Sequence, residues 1–432
     1  VPRAASATLV LPPSATEFLV ASGGLLGLVA SVAALRVYRP FEQTADLGLL
    51  VMAATAFGVF VPDLAWRRVY MRSLGPPGPG DPGRSLTKFA GLLGAMGFVA
   101  LLYWAFPEYS LTDPFYRHYW TLLQRLLPPW LLLALPYIYW IDRRSAEPRD
   151  GLWQMGRLLT LHWADVHPPV IVQFLAGWLV KGFFLPLMFT YLCNDLERML
   201  GYNLAALGTF RSWYDFLYFA LYFVDVALVS MTYLLSLRLT DTHLRSTEPT
   251  ALGWAAALVC YQPFWSLINR QYLAYDSGVS WGAWLGGAPV AYALWGTGIL
   301  SLTGIYVWAT VAFGGRFSNL TNRGIITAGP YRYTKHPAYL AKNLSWWMIS
   351  MPFMVGSSVA QSARHCLLLL ALNGIYFVRA KTEERHLATD PVYVQYARWI
   401  DAHGLLRFVN RVPVVGMLAR WQLAPLPAGM RA

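Results

Sequence analysis

Apolar residues in this chain fall in long unbroken runs, not in alternation with polar ones. About 20 consecutive apolar residues are what a helix needs to cross the hydrocarbon core of a bilayer. Ten such runs are predicted as transmembrane helices, at roughly 15–35, 46–64, 89–106, 118–140, 169–190, 212–236, 250–268, 287–313, 343–360 and 365–378. Continuous apolarity excludes a closed membrane barrel, whose strands alternate. The expected fold class is therefore all-α: a polytopic helical membrane protein with about ten transmembrane helices.

The charged residues between the runs set an orientation. Of the 34 Lys and Arg, 25 lie before the first span or in the connections after spans 2, 4, 6, 8 and 10. Seven lie in the connections after the odd-numbered spans. Basic loops stay in the cytoplasm, which places both termini and the even connections there. Composition agrees, with 13% charged residues against about a quarter in soluble proteins. The formal charge of +12 is explained by loops that meet anionic headgroups, so membrane lipids are expected partners and nucleic acid is not. Cys193, Cys260 and Cys366 are far apart without metal-ligand spacing, and read as packing residues.

Three local patterns add detail. The Pro/Gly stretch 75–83 predicts a mobile cytoplasmic linker. Residues 152–163 have helical apolar spacing and predict an amphipathic helix on the membrane surface. Glycines at 23, 24 and 27, and at 91, 94 and 97, permit close helix packing.

Candidate chemistry sits at the two ends of the last apolar hairpin. Gly329-Pro-Tyr-Arg-Tyr-Thr-Lys-His-Pro-Ala-Tyr339 precedes it, and Arg379-Ala-Lys-Thr-Glu-Glu384 follows it. Polar groups at that depth are costly unless they bind something. Taken alone, His336-Pro337 is a polar loop with a helix-starting proline, and the Arg/Glu cluster is a helix end with i,i+4 pairs. His162, Asp165 and His167 offer too few ligands for a metal, so none is assigned. Asp225 and Lys181 fall inside apolar spans, where they either line a cavity or pair within the bundle.

The order Gly329, Tyr331, Lys335-His336-Pro337, Tyr339, Arg379, Glu383-Glu384, Leu387, Tyr393 and Tyr396, with its intervening apolar hairpin, resembles the isoprenylcysteine carboxyl methyltransferase family. That family shares its C-terminal module with the phospholipid N-methyltransferases. The resemblance covers about residues 300–410. It implies S-adenosyl-L-methionine as methyl donor and a hydrophobic or lipid substrate, carboxylate or amine, taken from the bilayer. By matched position, Tyr331, His336, Pro337, Ala338 and Tyr339 would line the cofactor pocket. Gly324, Ile325 and Ile326 would supply backbone contacts, and Glu383 and Glu384 would hold a polar group of the cofactor. Arg379 would be the catalytic residue facing the acceptor.

The same resemblance divides the chain into an N-terminal transmembrane region, 1–280, that shapes acceptor choice, and a catalytic module with a cytoplasmic tail, 281–432. Lys335 stands where the family more often has Arg, and Ala341 where it often has Gly, which leaves the acceptor open. An NADPH-dependent sterol or isoprenoid reductase with a similar module is the alternative; the form Thr382-Glu-Glu-Arg-His-Leu387 favours the methyltransferases. The expected location is a multi-pass position in a bacterial inner or endoplasmic-reticulum-type membrane, with the active site facing the cytoplasm. Oligomeric state is not legible.

Overall fold

A computed structural model describes residues 9–276, 278–354 and 358–411. Arg3, both termini and part of the ninth predicted span lie outside the described residues. The first helices are α1 (Phe18–Val37), α2 (Thr44–Ala65), the short α3 (Tyr70–Ser73) and α4 (Pro82–Ala105). Next come α5 (Arg117–Asp142), α6 (Gly151–Leu159), α7 (Pro168–Gly201) and α8 (Phe210–Leu234). Then follow α9 (Ala251–Leu258), α10 (Phe264–Gln271), α11 (Trp281–Leu285) and α12 (Pro289–Ala312). The chain closes with α13 (Pro337–Ser350), α14 (Val359–Leu387) and α15 (Pro391–His403).

Six of these helices (α1, α2, α4, α7, α8 and α12) are long and apolar enough to cross a membrane. The predicted span 250–268 takes another form. Pro263 has no N–H to give the carbonyl four residues back, and the segment becomes two eight-residue helices, α9 and α10. Each is about 12 Å long, short of a bilayer. The last two predicted spans also shift. α13 starts at Pro337, a favoured first helical position, and stops before the left-handed Met351 and Pro352. α14 runs on through the Arg/Glu cluster to Leu387, so that cluster is helical.

Glycines set the closest approaches. A Cβ on Gly23 would lie 2.3 Å from the Gly58 carbonyl oxygen, and one on Gly27 equally near that of Ala54, so α1 and α2 meet backbone to backbone. A Cβ on Gly91 would come within 1.9 Å of the Leu152 carbonyl oxygen. The amphipathic α6 is thereby docked on α4, leaving Leu159, Leu161 and Trp163 exposed. Leu28, Val51, Val59, Leu122, Leu192 and Met231 form the centre of the main core, shared by α1, α2, α5, α7 and α8.

The even connections interlock in one polar layer. Gly75 and Gly78 donate to the Arg144 and Arg143 carbonyls at 2.8 and 2.7 Å, so the Pro/Gly stretch expected to be mobile is tied down here. Beside it, Asp142 binds Arg84 and Lys88 at 2.7 and 2.9 Å. Ser73 donates to the Arg238 carbonyl at 2.6 Å. A two-residue antiparallel pairing, β1 (Ser246–Thr247) with β2 (Thr321–Asn322), joins the connection after α8 to the one after α12. Arg323, 2% exposed, donates to the carbonyls of Thr232, Leu235, Thr242 and Phe317. Opposite lies a second layer, where Arg36 holds the Met199 and Tyr202 carbonyls.

Candidate functional site

Tyr376, Arg379, Glu383 and His386 recur at helical spacing on α14 and share one face. That face looks into a cavity at the level of the polar layer, whose other walls come from α9, α12, α13 and the loop 317–321. Pro337 starts α13 inside this layer, which brings His336, Ala338 and Tyr339 to the same space.

The carboxylates are held by the loop. Tyr339 Oη donates to Glu383 Oε2 at 2.8 Å. Its ring stacks on His336, with centroids 5.4 Å apart and planes 5° apart. His336 Nε2 lies 3.0 Å from Glu384 Oε1, and Lys381 donates to the other oxygen at 3.0 Å. Burial would raise the Glu384 carboxyl, but the His336 hydrogen bond and the charges of His336, Lys335 and Lys381 hold it at about 2. Glu384 is thus an anchor for the His-Pro loop. Lys335 pairs with Asp401 of α15 at 2.8 Å, and Tyr396 donates to the Tyr331 carbonyl at 2.7 Å. The Tyr-x-x-Tyr tail therefore braces the loop from behind.

Arg379 occupies the other end. It is buried, and its Nη2 donates to Asn319 Oδ1 at 2.5 Å, with Tyr261 Oη at 3.5 Å. The rings of Tyr339, Tyr261 and Tyr376 lie 5.1, 5.5 and 5.8 Å from the guanidinium carbon. Among the described residues it has no carboxylate partner. A buried cation held only by dipoles and aromatic faces keeps its charge available to a ligand. Lys342, on the same cavity wall, sits 5.1 Å from the Tyr306 ring and 5.4 Å from that of Trp346. Behind them Asp225 accepts from Tyr306 Oη and Thr310 Oγ1, each at 2.5 Å, which answers the choice left open for that residue: it pairs within the bundle.

Beyond Arg379 the surroundings turn apolar. A groove of about 1160 Å³ runs between α9, α10 and α14, lined by Leu258, Val259, Phe264, Leu267, Ile375 and Val378 among others. Ile375 and Val378 precede Tyr376 and Arg379 directly, so groove and cavity share the α14 wall.

Of the residues singled out in the sequence, Tyr331, His336, Ala338, Tyr339, Arg379 and Glu383 line this cavity together. Pro337 is buried at the helix start, and Glu384 acts through His336. Gly324, Ile325 and Ile326 do not line it. Ile325 packs with Tyr393, Tyr396 and Ile400, and its carbonyl accepts from Ala15 at 2.9 Å. Gly324 takes φ +107 beneath Ala15, a conformation that favours glycine. The second polar cluster is dispersed, because Asp165 is taken by Arg157. Asn319, Tyr261, Tyr376, Lys342 and Glu248 were not singled out for the site. Asn319 had a readable signal as a polar residue beside the motif; Tyr261 and Glu248 had none, being brought in by tertiary packing.

No curated protein and no solved structure matches this chain. The model of the isoprenylcysteine carboxyl methyltransferase (ICMT) family matches residues 297–389, from α12 to the end of α14. The stretch that carries Tyr306, the His-Pro loop, Arg379 and Glu383 is therefore similar to that methyltransferase family.

Proposed function

We propose that the protein is an integral-membrane methyltransferase that uses S-adenosyl-L-methionine and acts on a lipid-borne acceptor from the cytoplasmic face. The observation that carries this is the polarity of one cavity: carboxylates at the loop end, an unpaired guanidinium at the end that adjoins the apolar groove. The residues fit the donor. Glu383 offers a carboxylate to an ammonium or ribose, and the Tyr331 and Tyr339 faces suit adenine or a sulfonium, at ~0.5–2 kcal/mol per cation contact. Bound there, the cofactor supplies an already activated methyl group.

What the chain must then do is align and exclude water. Positioning alone lowers a barrier by up to about 7–11 kcal/mol. Tyr339 links both tasks, since one side chain touches Glu383, His336 and Arg379. Arg379 can orient an acceptor carboxylate without protonating it, because a guanidinium does not give up its proton. The groove suits a hydrocarbon tail, which would enter from the bilayer between α10 and α14. The basic even connections support a cytoplasmic site, and their meeting in one layer accords with a common side. The wall residues supplied by α9 and α10 support a role for the N-terminal region in acceptor choice.

Calorimetry with S-adenosylhomocysteine tests the donor. Binding by the wild-type protein, with no heat from NADPH, is expected. The reverse pattern would sink the methyltransferase reading.

A further inference from the structure

Glu248 lies outside the stretch matched to the methyltransferase family, in the connection between α8 and α9, yet it lines the same cavity as Glu383. It is 2% exposed. A carboxylate at that depth costs several kcal/mol unless its surroundings compensate. The chain goes to some length to fix it. Its N–H donates to the Leu320 carbonyl at 2.7 Å, and its carbonyl accepts from Trp254 Nε1 at 2.8 Å. Oε1 accepts from the Thr250 N–H at 3.0 Å and from the Thr250 hydroxyl, with Arg385 Nη2 at 3.7 Å. Gly253 makes the room: a Cβ there would lie 2.4 Å from Glu248 Cγ and 2.5 Å from Cδ.

All of the side-chain partners engage Oε1. Oε2 makes no hydrogen bond among the described residues, on a side chain that faces the cavity. Burial raises the Glu248 carboxyl, and the negative charge of Glu383 raises it further. Two carboxylates that repel across a cavity are stabilised together by a cation placed between them. Of the cations already lining the cavity, Lys335 is paired with Asp401, and Arg379 and Lys342 lie against tyrosine and tryptophan faces.

From this we infer that Glu248 is a cofactor-binding residue, and that with Glu383 it holds the α-ammonium group of the methyl donor. The inference rests on the donor proposed above. The N-terminal region then supplies half of the ammonium site, and the donor pocket is complete only when the connection 241–250 is docked by its β pairing with 321–322.

The test is calorimetry on the full-length protein with two probes: S-adenosylhomocysteine, and its analogue lacking only the α-amino group. Wild type should prefer the first by ~10–100-fold, the size of one charged hydrogen bond. In Glu248→Gln that preference should shrink to within about threefold, with the des-amino probe binding as in wild type. Gly253→Ala, which displaces the carboxylate and leaves it charged, should shrink it too; it also covers the case in which Glu248→Gln does not fold. Equal weakening of both probes, or a preference that survives in both variants, would mean that Glu248 only caps α9 and pairs with Arg385, and would overturn the inference alone. Failure of the wild-type protein to bind S-adenosylhomocysteine would remove the donor reading and this inference with it.

Discussion

The two ends of the cavity are built by opposite rules. At the loop end every charge has a charged or hydroxyl partner: His336 with Glu384, Lys381 with Glu384, Tyr339 with Glu383, Lys335 with Asp401. At the groove end Arg379 has, among the described residues, only neutral ones: an amide oxygen, a distant hydroxyl and three rings. A hydrogen-bonded network makes a rigid template, here one in which Glu383 keeps its negative charge for a ligand, whereas a cation with neutral partners is a standing demand for an anion or a dipole. The difference accords with the roles proposed above. The rigid end suits a cofactor of fixed shape, and the charged end suits a group that arrives, reacts and leaves.

The largest effect should come from removing the charge at the groove end. Arg379→Ala is expected to cut methyl transfer by ~10²–10³-fold, the range for losing one preorganised donor, with S-adenosylhomocysteine affinity within about threefold of wild type. Comparable losses in both would erase the proposed division.

Acid should attack the loop end first. Burial, with Arg385 nearby, lowers His386 to about 4, so the folded state keeps it neutral while the unfolded chain takes up a proton below its ordinary 6.5. Its contribution is full above pH 6.5 and is lost as pH falls toward 4, about 3 kcal/mol in all. Glu384 adds a second loss from its ordinary 4.5 down toward 2. Melting temperature in detergent should therefore fall between pH 6.5 and 4, and His386→Gln should flatten that slope. An unchanged slope would show that His386 is not the titrating group.

Glu383→Gln leaves the shape and removes the charge. A loss of ~10–100-fold in S-adenosylhomocysteine affinity is expected, and unaltered binding would move the ammonium elsewhere. The smallest effect concerns the groove. A Cβ on Gly374 would meet nothing within 4 Å, so Gly374→Leu should fold normally and narrow the groove. Competition between long- and short-chain acceptors should shift toward the shorter by roughly 10-fold; no shift would place the tail elsewhere.

Much of this was legible from pattern. Apolar runs announced the long helices, because length and continuity are enough to define a span. The ordered motif marked Tyr331, His336, Tyr339, Arg379 and Glu383, since α14 places residues three and four apart on one face. Pattern failed where a single residue overrides a run, as Pro263 does in 250–268. It also mistook the Pro/Gly stretch for a free linker, because hydrogen bonds to a distant segment leave no local trace. Tyr261 and Glu248 are the clearest case. They sit more than 110 residues before Arg379 and Glu383, and only the packing of α9 on α14 makes them neighbours.

Arg323 carries a consequence for the handling of the chain. Three of the four carbonyls that its guanidinium gathers belong to residues 232–242. A fragment starting near 281 would keep every residue of the motif that resembles the family yet strand a buried charge beside the loop proposed to cradle the donor. The motif is contiguous in sequence, but its buried Arg323 is satisfied by carbonyls that precede it, so split halves should function only when they reassociate.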